Sequence, residues 1–175
     1  MWLNRLVLAS ALLILGLGQA SAESAISGMM GRWQGEIDRT TGGAAAKGQA
    51  TLALTERNDG FSIRWALPGR PAFEVPFEPD EQRQGVFQPS RDGLLSFLRQ
   101  KRDGDPLDGE PLLWARTASQ TLVVYSLGIE HDGGYVLDRL AFQQEGETIR
   151  AEFTRAADNA GPQGFTARLT KAGAR

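Results

Sequence analysis

Cysteine is absent from all 175 residues. That removes disulfide staples, thiolate nucleophiles, thiol redox chemistry and cysteine-based metal centres from consideration. Histidine occurs once, at His131, which excludes any constellation needing two imidazoles, such as the paired ligands of His-Glu-x-x-His. Concentrated charge of one sign is missing as well. No basic block exceeds Lys101-Arg102, whereas a nucleic-acid binder needs a basic face dense enough to neutralise several phosphates. Nucleic acid is not an expected partner. There is no Gly-x-Ser-x-Gly elbow, phosphate loop or dinucleotide fingerprint either, and no cofactor, metal site or catalytic residue is assigned. An enzyme is the least favoured class.

One long apolar run is present, and it lies at the N-terminus. Arg5 supplies a positive charge, Leu6 to Leu17 are apolar, and Ala20-Ser21-Ala22 follow. Charge, apolar stretch and small residues in that order are the parts of a cleavable secretory signal. The run is shorter than the roughly 20 residues that span hydrocarbon, and Gly16, Gly18 and Gln19 interrupt its end. A retained membrane anchor is the alternative reading. The expectation is a signal over residues 1–22 and a single domain over 23–175, working in the periplasm or outside the cell, without a stable membrane anchor. Arg5 is the one charge in that leader, so the remainder carries 18 basic against 21 acidic residues. Charges of both signs are scattered as on an ordinary solvated surface.

Beyond Met30 the chain alternates apolar and polar residues in short segments broken by Gly, Pro, Asn and Asp, the pattern of strands joined by turns. Gly31 to Asp38 and Gln49 to Thr55 come first, separated by a Gly/Ala-rich stretch, Thr41 to Gly48, that reads as a loop. Asn58-Asp59-Gly60 supplies a hairpin, because these residues tolerate the positive φ of tight turns. The clearest strand follows, with Phe61, Ile63, Trp65 and Leu67 on one face. Further strands are read at Phe73 to Phe77, Gly85 to Gln88, Pro111 to Arg116, Thr121 to Gly128, Tyr135 to Gln143, Thr148 to Arg155 and Phe165 to Lys171. The stretch Asp158 to Gly164 reads as a turn. The fold class expected is all-β: an antiparallel meander of about eight to ten strands forming a closed or nearly closed barrel.

One segment breaks this rhythm. Ser90 to Arg102 offers an N-cap at Ser90 or Asp92, apolar Leu94, Leu95, Phe97 and Leu98, and cations at its end, which suits a short amphipathic helix. It would plug one end of the barrel, move as a lid, or touch a membrane. It belongs to a long connection, Pro79 to Glu110, which can alternatively engage another exported protein.

Gly31-Arg32-Trp33 at the start of the first strand resembles the Gly-x-Trp signature of the lipocalins and the wider calycin group. The resemblance implies a barrel whose Trp33 sits at the closed end with Gly31 before it, and a basic residue of the final strand, Arg168, packed across the indole as a cation–π pair. The Thr-Asp-Tyr-type second motif of that family is missing, and so is its long C-terminal helix.

Two further candidates concern chemistry. His131, between Glu130 and Asp132, has the makings of a general base or metal ligand, though such residues serve as ordinary turn formers far more often. The acidic run Asp103 to Glu110 has the oxygen content for calcium, but its spacing departs from an EF-hand loop and Pro106 stiffens it. Strand charges Glu36, Arg64, Glu74, Arg116, Asp138, Arg139, Arg150 and Glu152 are expected mostly to face solvent. An arginine pointing inward would need an acidic partner or an anionic ligand.

The leading functional expectation is an exported, non-enzymatic barrel binding a small apolar or amphipathic ligand, with Phe61, Trp65, Phe73, Phe77, Trp114 and Tyr125 lining its cavity. The competing expectation is a dry, filled core and a function through an exported protein partner.

Overall fold

A computed structural model of the chain describes residues 26–42, 48–57, 60–68, 72–90, 107, 109–158 and 160–173. The expected signal segment, the amphipathic helix beyond Ser90 and most of the acidic run lie outside these residues. The described residues form ten strands: β1 (Gly31–Thr41), β2 (Gln49–Arg57), β3 (Gly60–Ala66), β4 (Phe73–Pro79), β5 (Val86–Pro89), β6 (Leu112–Ala118), β7 (Thr121–Ile129), β8 (Tyr135–Glu145), β9 (Thr148–Ala157) and β10 (Ala160–Lys171). Each strand pairs antiparallel with its sequence neighbour, and β10 pairs with β1, so the meander closes into a barrel. Every described strand has a hydrogen-bonded neighbour on both sides, the shortest junction being β5 with β6, which meet at Val86–Arg116 and Phe87–Ala115.

All ten strands fall where the alternation places them, most with extended ends, while β3 stops one residue short and β5 and β6 begin one residue later than expected. The largest departure is β10, which begins at Ala160 rather than Phe165. Its first residues pair with β9 through an irregularity between Ala160 and Gln163, so a bulge carries Gly161 and Pro162 inside a strand instead of a turn.

Period-two alternation sorts the side chains. Inward go Leu52 and Leu54 of β2, Phe61, Ile63 and Trp65 of β3, Val75 and Phe77 of β4, Phe87 of β5, Ala115 of β6, Leu122 and Val124 of β7, Leu140 and Phe142 of β8, Ile149 and Ala151 of β9, and Phe165, Ala167 and Leu169 of β10, all buried. Each large apolar side chain so buried contributes about 1.5–3 kcal/mol. The exposed outward positions include Thr51, Arg64, Glu74, Arg116, Arg150 and Arg168. A transmembrane barrel reverses this arrangement, with an apolar band facing lipid.

Two glycines fix the close approach of β1 to its neighbours. Gly31 has φ +121°, a conformation L side chains rarely adopt. A Cβ on Gly35 would meet the backbone carbonyl oxygen of Arg168, so the β1–β10 contact requires glycine there.

The two ends of the barrel differ. At the end where β1 starts, a helical turn runs over Ile26–Met30, held by Met29 N–H donating to the Ile26 carbonyl (2.9 Å). It lays Ile26 and fully buried Met29 across the opening. The opposite end, the open end among the described residues, carries the β1–β2, β3–β4, β5–β6, β7–β8 and β9–β10 connections.

Candidate functional site

Cross-strand register arranges the interior of β6 to β10 in rows, each a ring segment at one height. In one row Ala115, Val124, Leu140, Phe153 and Phe165 succeed one another across five strands. The row below it continues in apolar residues with Leu122, Phe142, Ala151 and Ala167. One step towards the open end the composition changes to Leu113, Ser126, Asp138, Arg155 and Gln163. Three strands there present a hydroxyl, a carboxylate and a guanidinium side by side on the inward face.

This polar row edges a cavity of about 220 Å³, lined by Trp65, Leu67, Phe73, Val124, Tyr125, Ser126, Asp138, Leu140, Phe153 and Arg155. Its aromatic wall is itself well packed. Trp65 meets Phe142 edge-on at 5.4 Å and stacks on Phe165 at 6.4 Å, while Phe153 stacks on Phe165 at 5.2 Å. An apolar chamber with a few convergent polar groups at its rim is the general form of a small-molecule site.

Arg155 and Asp138 make the strongest polar contact of the site. The Nε and Nη2 groups of Arg155 donate to the two carboxylate oxygens of Asp138 at 2.7 and 2.6 Å, a bidentate geometry. The hydrogen bond to Asp138 holds the Arg155 guanidinium above its usual range, against the opposing effect of partial burial. The side chains are 41% and 25% exposed, so the pair stands at the mouth and not in the core. The Ser126 hydroxyl makes no hydrogen bond with any described residue.

Several anticipated residues fall where the cavity reading requires, and others do not. Trp65 and Phe73 line the chamber. Phe61 and Phe77 face inward but lie deeper, stacked on each other at 5.4 Å and with Phe61 edge-on to Phe87 at 5.1 Å. They belong to the packed core. Trp114 pairs with Tyr125 across β6 and β7, and their rings stack at 4.9 Å. Ala115 and Val124, their immediate neighbours, are buried inward, so this stack is on the outer face. Tyr125 borders the cavity from its place between Val124 and Ser126 rather than by presenting its ring to it. Sequence pattern alone does not single out Arg155, although it continues the inward parity of Ile149, Ala151 and Phe153. Of the strand charges expected to face solvent, Asp138 turns inward. Arg139 and Glu152, 3.3 Å apart, and Arg64 and Glu74, 3.8 Å apart, pair outside.

The closed end has its own chemistry. Trp33 is buried, and its Nε1–H donates to the Met29 carbonyl at 2.8 Å. The cation over the indole is Lys171, with Nζ 5.7 Å from the ring centroid, in place of the anticipated Arg168. Arg168 lies between inward Ala167 and Leu169, so it points outward, 3.8 Å from Glu145. His131 is exposed in the β7–β8 turn, which is closed by Glu130 N–H donating to the Gly134 carbonyl at 2.7 Å. Among the described residues no group of three or more His, Asp or Glu side chains is placed to hold a metal ion.

Comparison of the chain with family models, with curated proteins and with solved structures finds no match.

Proposed function

We propose that this protein is an exported, non-enzymatic β-barrel that binds a small amphipathic molecule in the chamber at its open end. The observation that carries the reading is the change of composition between adjacent interior rows, from Val124, Leu140 and Phe153 to Ser126, Asp138 and Arg155, beside a cavity of about 220 Å³. Export rests on the order of charge, apolar run and small residues in the first 22 positions. Kinship with the calycin group is part of the same proposal. It is supported by Gly31 and Trp33 at the plugged end and by a final-strand cation, Lys171, over the indole.

The test is native mass spectrometry of the protein isolated from its exported compartment under gentle conditions. A discrete added mass that disappears on denaturation is the expected result. A bare chain that also fails to bind small amphiphiles added back in solution overturns the reading.

A second reading has one observation in its favour. The outer face of β6–β8 carries the stacked Trp114 and Tyr125 together with Leu112 and Tyr135, which are 45% and 41% exposed. Exposed aromatic and aliphatic groups clustered in this way suit an exported protein partner.

A further inference from the structure

Resting on the binding reading above, the geometry points to the charge class and size of the ligand: we propose that the Asp138–Arg155 pair selects an uncharged amphiphile of about seven non-hydrogen atoms, carrying a hydroxyl or carbonyl head, and rejects the matching carboxylate and amine.

Size comes from the chamber. At about 220 Å³ it exceeds the roughly 150 Å³ engineered cavity that accepts benzene, and at about 30 Å³ for each water-sized group it holds about seven such groups. It falls below the roughly 300–1,000 Å³ typical of sites for drug-sized ligands. A six-carbon chain with one polar head fits this volume.

Charge selection follows from the way the rim groups are already paired. Arg155 spends its Nε–H and one Nη2–H on Asp138, which leaves three of the five N–H donors of a guanidinium. Each Asp138 oxygen accepts one of those bonds and retains acceptor capacity. Ser126, the cross-strand neighbour of Asp138 on β7, adds a hydroxyl that either donates or accepts. An incoming hydroxyl or carbonyl therefore finds unused donors and acceptors while the pair stays intact. A carboxylate arriving at the same place meets the Asp138 carboxylate and has to compete with it for Arg155. An ammonium meets the Arg155 guanidinium and has to compete with it for Asp138. At the rim either ion also gives up part of its water without gaining a counter-charge of its own. Specificity here is the penalty laid on the wrong ligand, which is how a site discriminates among molecules sharing one tail.

The head's position is fixed by the same rows. Polar groups stand at the mouth and Trp65, Val124, Leu140 and Phe153 line the interior, so the tail enters first and the head stays at the rim.

The experiment uses three probes of one length, 1-hexanol, hexanoate and hexylamine, titrated at neutral pH into the full mature chain and followed by methyl NMR of Val124 and Leu140. The expected result is hexanol binding at least about tenfold more tightly than either ion. Two conservative variants then exchange the selectivity. In Asp138→Asn the guanidinium lacks its counter-charge, and hexanoate should overtake hexanol. In Arg155→Gln the carboxylate is left alone, and hexylamine should gain instead. Hexanoate or hexylamine binding as tightly as hexanol to the native chain overturns charge selection while leaving the chamber a binding site. Selectivity unchanged in both variants overturns the role of the pair. Silence of the Val124 and Leu140 methyls towards all three probes overturns the binding reading itself, and the inference with it.

Discussion

The two ends of one barrel solve the same problem in opposite ways. A closed sheet leaves an opening at each end through which water can reach the core. At the β1 end a helical turn lays Ile26 and Met29 over the gap, Trp33 fills the space beneath, its N–H is satisfied by the Met29 carbonyl, and Lys171 covers its face. The indole's polar group has a local partner, so nothing there calls for a ligand. At the other end the interior turns polar at Ser126, Asp138 and Arg155, one step before a last inward row of Gly128, Val136 and Ala157, and a chamber of about 220 Å³ lies beside a bidentate ion pair. Among the described residues, packing to completion is seen at one end. On the proposed reading, structure at the plugged end serves stability and structure at the open end serves recognition.

Breaking the plugged end should have the largest effect. Trp33→Ala removes a buried indole and orphans the Met29 carbonyl, and it should lower unfolding free energy in urea by about 3–5 kcal/mol. A loss below about 1 kcal/mol would mean that Trp33 does not hold that end together. Met29→Ala, which deletes the cap and leaves the indole in place, should cost about 2–5 kcal/mol in the same assay.

A pair of enlargements sharpens the comparison further. Ala151 is fully buried in a filled row, and Ala151→Leu should destabilise by about 1–3 kcal/mol through overpacking. Ser126→Leu adds bulk beside the chamber, where space exists, and its stability should stay within about 0.5 kcal/mol of the native chain while hexanol binding is lost. Equal penalties for the two would show that the chamber is not open in solution.

Asp138→Asn tests the rim. The pair is partly solvated, so the loss of stability should be modest, roughly 1 kcal/mol by denaturant titration. A cost of several kcal/mol would place the pair in the structural core and not at a binding mouth.

The smallest effect concerns the β4–β5 turn at the plugged end. Arg83 donates to Asp80 at 2.7 Å, and the Gln82 N–H donates to its other oxygen at 3.0 Å. The side-chain bond from Arg83, followed by the backbone bond from Gln82, holds the Asp80 carboxyl below its ordinary value of 3.8. A carboxyl depressed in the folded state adds stability that is present above 3.8 and is lost as pH falls through the lower folded value. Asp80→Asn should therefore lower Tm slightly above pH 3.8 and have no effect once the native carboxyl is protonated. A difference that grew on acidification would reverse the sign and refute the contact.

Local pattern alone makes most of the barrel legible. Phe61, Ile63 and Trp65 face inward as their alternation requires, and Asn58-Asp59-Gly60 marks a strand junction because only a few residue types suit such turns. The site is less legible because its parts meet through register, which is long-range information. Tyr135 to Gln143 carries apolar residues on both faces, so parity within β8 does not orient Asp138. Pairing does, by setting Asp138 opposite Arg155 and Ser126. Trp114 and Tyr125 mislead for the converse reason. Their size suggests the interior, yet small Ala115 is the residue that β6 buries. Lys171 takes the place expected of Arg168 on the same principle, since the inward positions around Arg168 belong to Ala167 and Leu169.

The most direct test of the contrast between the ends is a methyl NMR titration of the protein with 1-hexanol, with Val124 and Leu140 as reporters at the open end and Ile26 and Met29 at the plugged end. Saturable shifts at Val124 and Leu140, with Ile26 and Met29 unmoved, are the predicted result. Shifts at Ile26 and Met29, or none at either end, would contradict the division of the barrel into a packed end and a binding end.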